Sequence, residues 1–423
     1  MHWSRVVIGL LVVALVCEAQ CEYFWHLSDT HMQSDYKKGS DPAKGCYDGK
    51  GSAGKFGDYN CRAPFVVERS AMMQIPAMRP KECKDKGPLF VLWTGDAGAR
   101  RFGKFSREVI AWEMRNITRE LLRLQQQLGG VPVYPVIGNH DSYPQHQFPV
   151  SNYWVYDVAA ELWAPLLPSD ALVTLKHGGY YSVLVAPRLR LLVLNTVIYY
   201  HSNNVTKNVK TTDPGGQIAW MRTQLANASA NGEDVYIASH IPPGMTLDPF
   251  HTRFIKPFLD GMRGYHSIIR GSFWGHIHLD MFQLLGDASA SSTDFHVAHL
   301  ASTLGIKTGK NPSFRRYLTD SAKNYTIQDW TTFYMDLPAA NKAGKITWRE
   351  LYSARKFYGI PDATPATMRK FVSNMRRNRK LFDAFWNNEK GGAPQGACVE
   401  SCRKIQLCRI QYPYPVAYNK CVA

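Results

Sequence analysis

The 423 residues contain no internal repeat and no low-complexity segment. With 45% hydrophobic and 20% charged residues, that length excludes a short peptide, a collagen and a disordered tail. Beyond the N-terminal segment no apolar run is long enough to span a bilayer. The end of the chain, 412–423, is too polar for a lipid-anchor signal, so no stable membrane insertion is expected. Acidic residues are the minority. Against 50 Lys and Arg there are 34 Asp and Glu, a formal charge of +16 that favours phosphate-rich or polyanionic partners. No feature points to an obligate protein partner.

What is present begins with a processing signal. Arg5 precedes an apolar run over 6–16, followed by Cys17-Glu18-Ala19, whose small residues suit signal peptidase. Residues 1–19 therefore read as a secretory signal peptide, and the rest as a protein that is secreted or held in the lysosome or vacuole lumen. Cysteine usage agrees: past Cys17 there remain Cys21, Cys46, Cys61, Cys83, Cys398, Cys402, Cys408 and Cys421. Locality pairs Cys46 with Cys61, Cys398 with Cys402 and Cys408 with Cys421, which leaves Cys21 for Cys83. A zinc knuckle formed by the C-terminal four is the competing reading. Glycosylation sequons stand at Asn116, Asn204, Asn227 and Asn324.

Short β-rich runs at 22–28, 89–94, 131–137, 189–195, 234–239 and 267–274 alternate with helical patterns, notably 105–128 and 217–228. This is an α/β arrangement whose central strands are buried on both faces. From about residue 341 the pattern becomes helix without strands, over 348–358 and 367–387. The expected division is thus an α/β domain over 20–340 and a helical, disulfide-bearing subdomain over 341–423.

Residues able to do chemistry cluster where the strands end. The runs deliver Asp29-Thr30-His31, Gly95-Asp96, Gly138-Asn139-His140-Asp141, His240 and Gly275-His276-Ile277-His278. Strand carboxyl ends converge on one crevice in α/β sheets, so five such loops suggest one site. Asp-x-His alone is worth little, with about 0.7 expected by chance, and Asp294-Phe295-His296 is a decoy; Gly-His-x-His is rarer, at about 0.03. Singly, each histidine reads as core or surface. His26, His177, His251, His266, His296 and His299 lack the pattern and read as structural or exposed. The basic run over 369–380 reads as a solvated helix face.

The ordered series resembles the calcineurin-like metallophosphoesterase superfamily. Its flanking text, Phe24-Trp25-His26-Leu27-Ser28-Asp29, Trp93-Thr94-Gly95-Asp96, Pro144-Gln145, Phe148-Pro149 and His240-Ile241-Pro242-Pro243-Gly244, is similar to the acid sphingomyelinase-like phosphodiesterases. The resemblance implies a two-sheet β-sandwich flanked by helices, with a small helical C-terminal extension. It also implies two divalent ions, the first held by Asp29, His31, Asp96 and His278, the second by Asp96, Asn139, His240 and His276. Imidazole-rich ligation favours zinc, with iron or manganese as alternatives. Two such ions, two carboxylates and a bridging hydroxide leave one net positive charge, which suits a phosphodiester. His140 resembles the family's general acid.

Two departures bear on substrate. Sphingomyelinases carry a saposin-like lipid-binding domain before the catalytic one, whereas Asp29 follows the leader almost at once, which implies poor extraction of membrane lipid. They also place a histidine where this chain has Arg100, whose guanidinium could clamp an extra phosphate. The expected enzyme is a metal-dependent phosphodiesterase acting on small phosphorylated substrates such as nucleotides. Endopolyphosphatase and sphingomyelin phosphodiesterase are the enzyme alternatives, and a secreted nucleotide- or polyanion-binding protein is the alternative without turnover.

Overall fold

The computed structural model describes residues 21–83, 86–98, 106–245, 247, 249–289, 291–306 and 309–423. The leader 1–19 and Arg100 lie outside these residues. In chain order the strands are β1 (Glu22–Leu27), β2 (Val91–Trp93), β3 (Val133–Pro135), β4 (Tyr181–Ala186), β5 (Leu189–Val193), β6 (Asp234–Ala238), β7 (Ile269–Trp274), β8 (Met281–Gly286), β9 (Phe295–Leu300), β10 (Ser313–Thr319), β11 (Asp329–Met335) and β12 (Trp348–Ser353).

They form two six-stranded sheets, ordered β12-β11-β10-β1-β2-β3 and β4-β5-β6-β7-β9-β8. Pairing is parallel along β1-β2-β3 and along β5-β6-β7-β9, so seven strand ends point the same way within their sheets. The flanking strands pair antiparallel.

Between the sheets lies an aromatic core. Phe24 of β1 stacks on Phe90 at 4.6 Å and Tyr317 at 5.1 Å between ring centroids, and meets Phe273 of β7 edge-on at 5.1 Å. Each such side chain, fully buried, contributes roughly 1.5–3 kcal/mol. Helices cover the outer faces. Arg107–Gln127 begins where Ser106 accepts from the Val109 amide, and it buries Ile110, Met114, Ile117, Leu121 and Leu124 at helical spacing. Disulfides join Cys21 to Cys83, Cys46 to Cys61, Cys398 to Cys402 and Cys408 to Cys421. No helix among the described residues is long and apolar enough to cross a membrane.

The expectation of helix without strands after residue 341 is corrected. Trp348–Ser353 is an edge strand of the first sheet, and only Ala354–Tyr358 is helical in that stretch. The register skips Leu351, which pairs with nothing while Glu350 and Tyr352 face consecutive residues of β11. The bulge turns Tyr352 to the face opposite Trp348, and both are buried, so the strand loses its period-2 alternation. The single helix expected over 367–387 is also two, Pro365–Arg377 and Arg379–Asn388, parted at Asn378, whose side chain caps the second through the Leu381 amide at 3.1 Å.

The C-terminal helices pack on β8. Phe282 meets Phe371 at 5.9 Å and Phe385 at 5.7 Å, and Gln283 donates to the Arg409 carbonyl at 2.8 Å.

Candidate metal centre

The loops after β1, β2, β3, β6 and β7 bring seven donor side chains together. Five of them sit on left-handed backbone: Asp29 (φ 51°), His31 (φ 45°), Asp96 (φ 62°), His276 (φ 68°) and His278 (φ 59°). Such a conformation costs about 1–3 kcal/mol for each such residue and persists where surrounding contacts over-determine it. Here it turns side chains from the ends of buried strands into one crevice. The glycines beside them have a steric reason. A Cβ on Gly138 would overlap the Asp96 carboxylate, and one on Gly95, itself at φ 91°, would strike the Gly138 backbone.

Around Asp29 the donors converge tightly. Its Oδ1 lies 2.9 Å from His278 Nε2 and 3.6 Å from His31 Nε2, and the two imidazole nitrogens are 2.9 Å apart. Ligand atoms of Asp29, His31, Asp96 and His278 all lie within 4.8 Å of one another. On the other side Asp96 Oδ2 is 3.2 Å from His240 Nε2, which is 2.8 Å from Asn139 Oδ1; that amide oxygen is 2.7 Å from His276 Nδ1. Asp96 belongs to both groups, since its Oδ2 is also 3.4 Å from His31 Nε2.

The donor set fits divalent cations. His31 Nδ1 is 3.1 Å from the Gly98 carbonyl and His240 Nδ1 is 2.6 Å from the Thr94 carbonyl. A carbonyl only accepts, so each Nδ1 carries a hydrogen and each Nε2 turns a lone pair inward. Asp96 Oδ2, buried with its residue 1% exposed, accepts no hydrogen bond. Inward-facing acceptors at this burial are costly without a positive charge among them. Without metal the protein answers with protons. Burial opposes charge on His240, yet the Asp96 and Asp29 carboxylates raise it to about 9. Burial likewise opposes the charge on Asp29, but His278, His31 and His240 hold that carboxyl well below its usual range.

His140 stands beside the donors. Its backbone amide donates to Asp96 Oδ1 at 2.7 Å, and its ring lies edge-on to His31 at 5.0 Å and to His146 at 4.9 Å. Burial holds the imidazole well below its ordinary range, against the pull of Asp96.

Several supporting residues were not singled out from the sequence. Asp141 accepts from the amides of Asp96 (3.1 Å), Ala97 (2.7 Å) and Gly138 (2.7 Å), tying the β2 and β3 loops together. Burial and the neighbouring Asp96 push it up to about 7, and a cation on Asp96 would remove the second cause. The Asn139 amide nitrogen lies 2.9 Å from His146 Nδ1, and Tyr200 meets His276 edge-on at 5.0 Å. Only Asp141, the last letter of Gly-Asn-His-Asp, carried any signal. The decoy His296 lies instead against His266, Nδ1 to Nδ1 at 2.8 Å.

The calcineurin-like phosphoesterase family matches residues 23–280, a span holding all seven donors and His140. The chain belongs to this family. Residues 293–423 match the C-terminal region of acid sphingomyelin phosphodiesterases. Among relatives, sphingomyelinase phosphodiesterase C of Dictyostelium discoideum is 30% identical, over 94% of this chain and 92% of that one. Sphingomyelin phosphodiesterase of Bos taurus is 33% identical over 90% of this chain, which spans 63% of it. The cyclic GMP-AMP phosphodiesterase SMPDL3A of Mus musculus is 31% identical, over 94% of this chain and 91% of that one. This calcineurin-like phosphoesterase is a metal-dependent phosphodiester hydrolase.

Proposed function

We propose that the enzyme hydrolyses phosphodiester or phosphoanhydride bonds of nucleotide-like substrates, outside the cell or in a lysosomal or vacuolar lumen, with zinc as its resident metal. The observation that carries the reading is the pair of donor groups sharing Asp96, with His140 at their edge. Asp29, His31, Asp96 and His278 would hold one ion, and Asp96, Asn139, His240 and His276 the other. When bound, the two cations supply charge neutralisation at the phosphoryl oxygens and acidify a water nucleophile. The protein's own part is to fix the donors before substrate arrives and to place His140 near the leaving group. As the phosphorus–oxygen bond to that group breaks, His140 delivers a proton to the departing oxygen. Its imidazole is neutral in the free site, so the phosphate anion of the substrate would draw the proton on.

The net charge of +16 and the likeness to a cyclic GMP-AMP phosphodiesterase at 91% of its length support a nucleotide substrate. A guanidinium at Arg100 would add a clamp for a further phosphate. Sphingomyelin is the second reading, favoured by the 33% identity to a sphingomyelin phosphodiesterase. Four disulfides support an oxidising compartment. Asn204, Asn227 and Asn324 are exposed and suited to glycosylation, whereas Asn116 is only partly exposed and donates its amide to the Trp112 carbonyl.

Purified enzyme turned over against cyclic dinucleotides, nucleoside triphosphates and sphingomyelin, with and without detergent, tests the choice. Faster turnover of the nucleotides supports the reading, and faster turnover of sphingomyelin overturns it. His140→Ala is expected to slow an alkoxide-leaving substrate by about 10²–10⁴-fold and a nitrophenyl ester far less; equal losses would remove His140 from the acid role. Arg100→Ala should weaken hydrolysis of a triphosphate more than of a simple diester.

A further inference from the structure

Beneath the two donor groups runs a buried chain of hydroxyls with a definite direction. Asp29 Oδ2 can only accept, and the Ser28 hydroxyl donates to it at 2.5 Å. The Ser28 oxygen then accepts from the Thr94 hydroxyl at 2.7 Å, whose own oxygen lies 2.9 Å from His26 Nε2. Each step fixes the next, so His26 carries its hydrogen on Nε2 and leaves Nδ1 without a hydrogen-bond partner, its ring packed against Phe273 and Tyr317. His26, Ser28, Asp29 and Thr94 are all fully buried. The backbone carbonyl of the same Thr94 accepts from His240 Nδ1 at 2.6 Å. Gly275 lies directly over the chain; a Cβ there would overlap Ser28 Oγ and crowd Asp29 Oδ2 and Thr94 Oγ1. The glycine of Gly-His-x-His thus makes room for these hydrogen bonds.

We infer that Thr94 is a positioning residue shared by both metal sites: its carbonyl sets the tautomer of His240 in one, and its hydroxyl, through Ser28 and braced by His26, orients the Asp29 carboxylate in the other. The inference rests on reading Asp29 and His240 as metal ligands. Outer-shell hydrogen bonds orient a ligand and raise its basicity, and removing one lowers metal affinity by about 10–100-fold. Thr94→Val keeps the carbonyl and the side-chain shape while deleting the hydroxyl. Ser28→Ala cuts the next link, and Thr94→Ser restores the hydroxyl.

The test measures zinc affinity by competition with a chelator for wild type and the three variants, and reads the His26 tautomer by imidazole nitrogen NMR in metal-free wild type. Thr94→Val and Ser28→Ala should each lose about 10–100-fold in affinity for the ion held by Asp29, with Thr94→Ser near wild type. His26 should be protonated on Nε2. Unchanged affinity in Thr94→Val or Ser28→Ala, or a hydrogen on His26 Nδ1, overturns the inference. The tautomer decides the matter on its own if Thr94→Val fails to fold. A wild type that binds no zinc would instead refute the metal-centre reading, an outcome distinct from either of these.

Discussion

Two buried carboxylates of this enzyme, Asp96 and Asp280, lie at the same depth, each 1% exposed, yet only one reads as a ligand. Asp280 is saturated with donors. Arg315 pairs with its Oδ1, the Tyr352 hydroxyl donates to the same atom at 2.8 Å, and the Thr332 hydroxyl donates to Oδ2 at 2.5 Å. Asp96 receives one amide on Oδ1, while Oδ2 faces the Nε2 atoms of His31 and His240, whose Nδ1 atoms are turned to the Gly98 and Thr94 carbonyls. Depth and charge are common to both. What separates a metal centre from a structural ion pair is whether the surrounding polar atoms donate or accept.

The comparison can be broken most severely at Asp96. Asp96→Asn should reduce turnover to that of chelated wild type and lower the metal content. Without metal Asp96 is held ionised by its histidine neighbours, so the variant should melt below metal-free wild type, while added metal should raise the melting temperature of wild type and not of the variant; equal stabilisation of both by metal would make Asp96 a structural residue like Asp280. Arg315→Met should behave in the opposite manner. It strands the Asp280 charge and should destabilise the fold by about 3–5 kcal/mol in denaturant titration, while the protein that remains folded keeps its metal content.

The smallest effect is at Glu389, 1% exposed and without a partner for Oε1, on the same side of the molecule as Asp280, whose amide donates to the Glu389 carbonyl at 2.8 Å. Burial, and next the Asp280 charge, push Glu389 up to about 8. Its folded state therefore retains a proton that the unfolded chain releases near the ordinary carboxyl pKa of 4.5, and stability should fall as pH rises from about 4.5 to about 8. Glu389→Gln should flatten that decline in melts across this pH range without altering metal stoichiometry. An unchanged slope would mean that Glu389 is ionised in the native protein.

Much of the site was legible because ligands must stand at strand ends, and the strands that carry them are continuous apolar runs bounded by Gly-containing loops. β1, β2, β3, β5, β6 and β7 all announce themselves in that way. β12 did not, since its bulge at Leu351 breaks the period-2 alternation by which a strand is read. The break at Asn378 was hidden inside an otherwise unbroken amphipathic pattern. Residues that support the ligands were harder still to read. Asp141 holds backbone amides of another loop, and Thr94 acts through a carbonyl and a hydroxyl on partners as distant in sequence as Ser28 and His240. Such partnerships exist only in the folded chain.

The most direct test of the central claim is anomalous diffraction from crystals of the fully active enzyme, recorded at the zinc edge and at the iron and manganese edges. Two peaks per chain are expected, one among Asp29, His31, Asp96 and His278 and one among Asp96, Asn139, His240 and His276. Full activity with no transition-metal peak in that crevice would contradict the account.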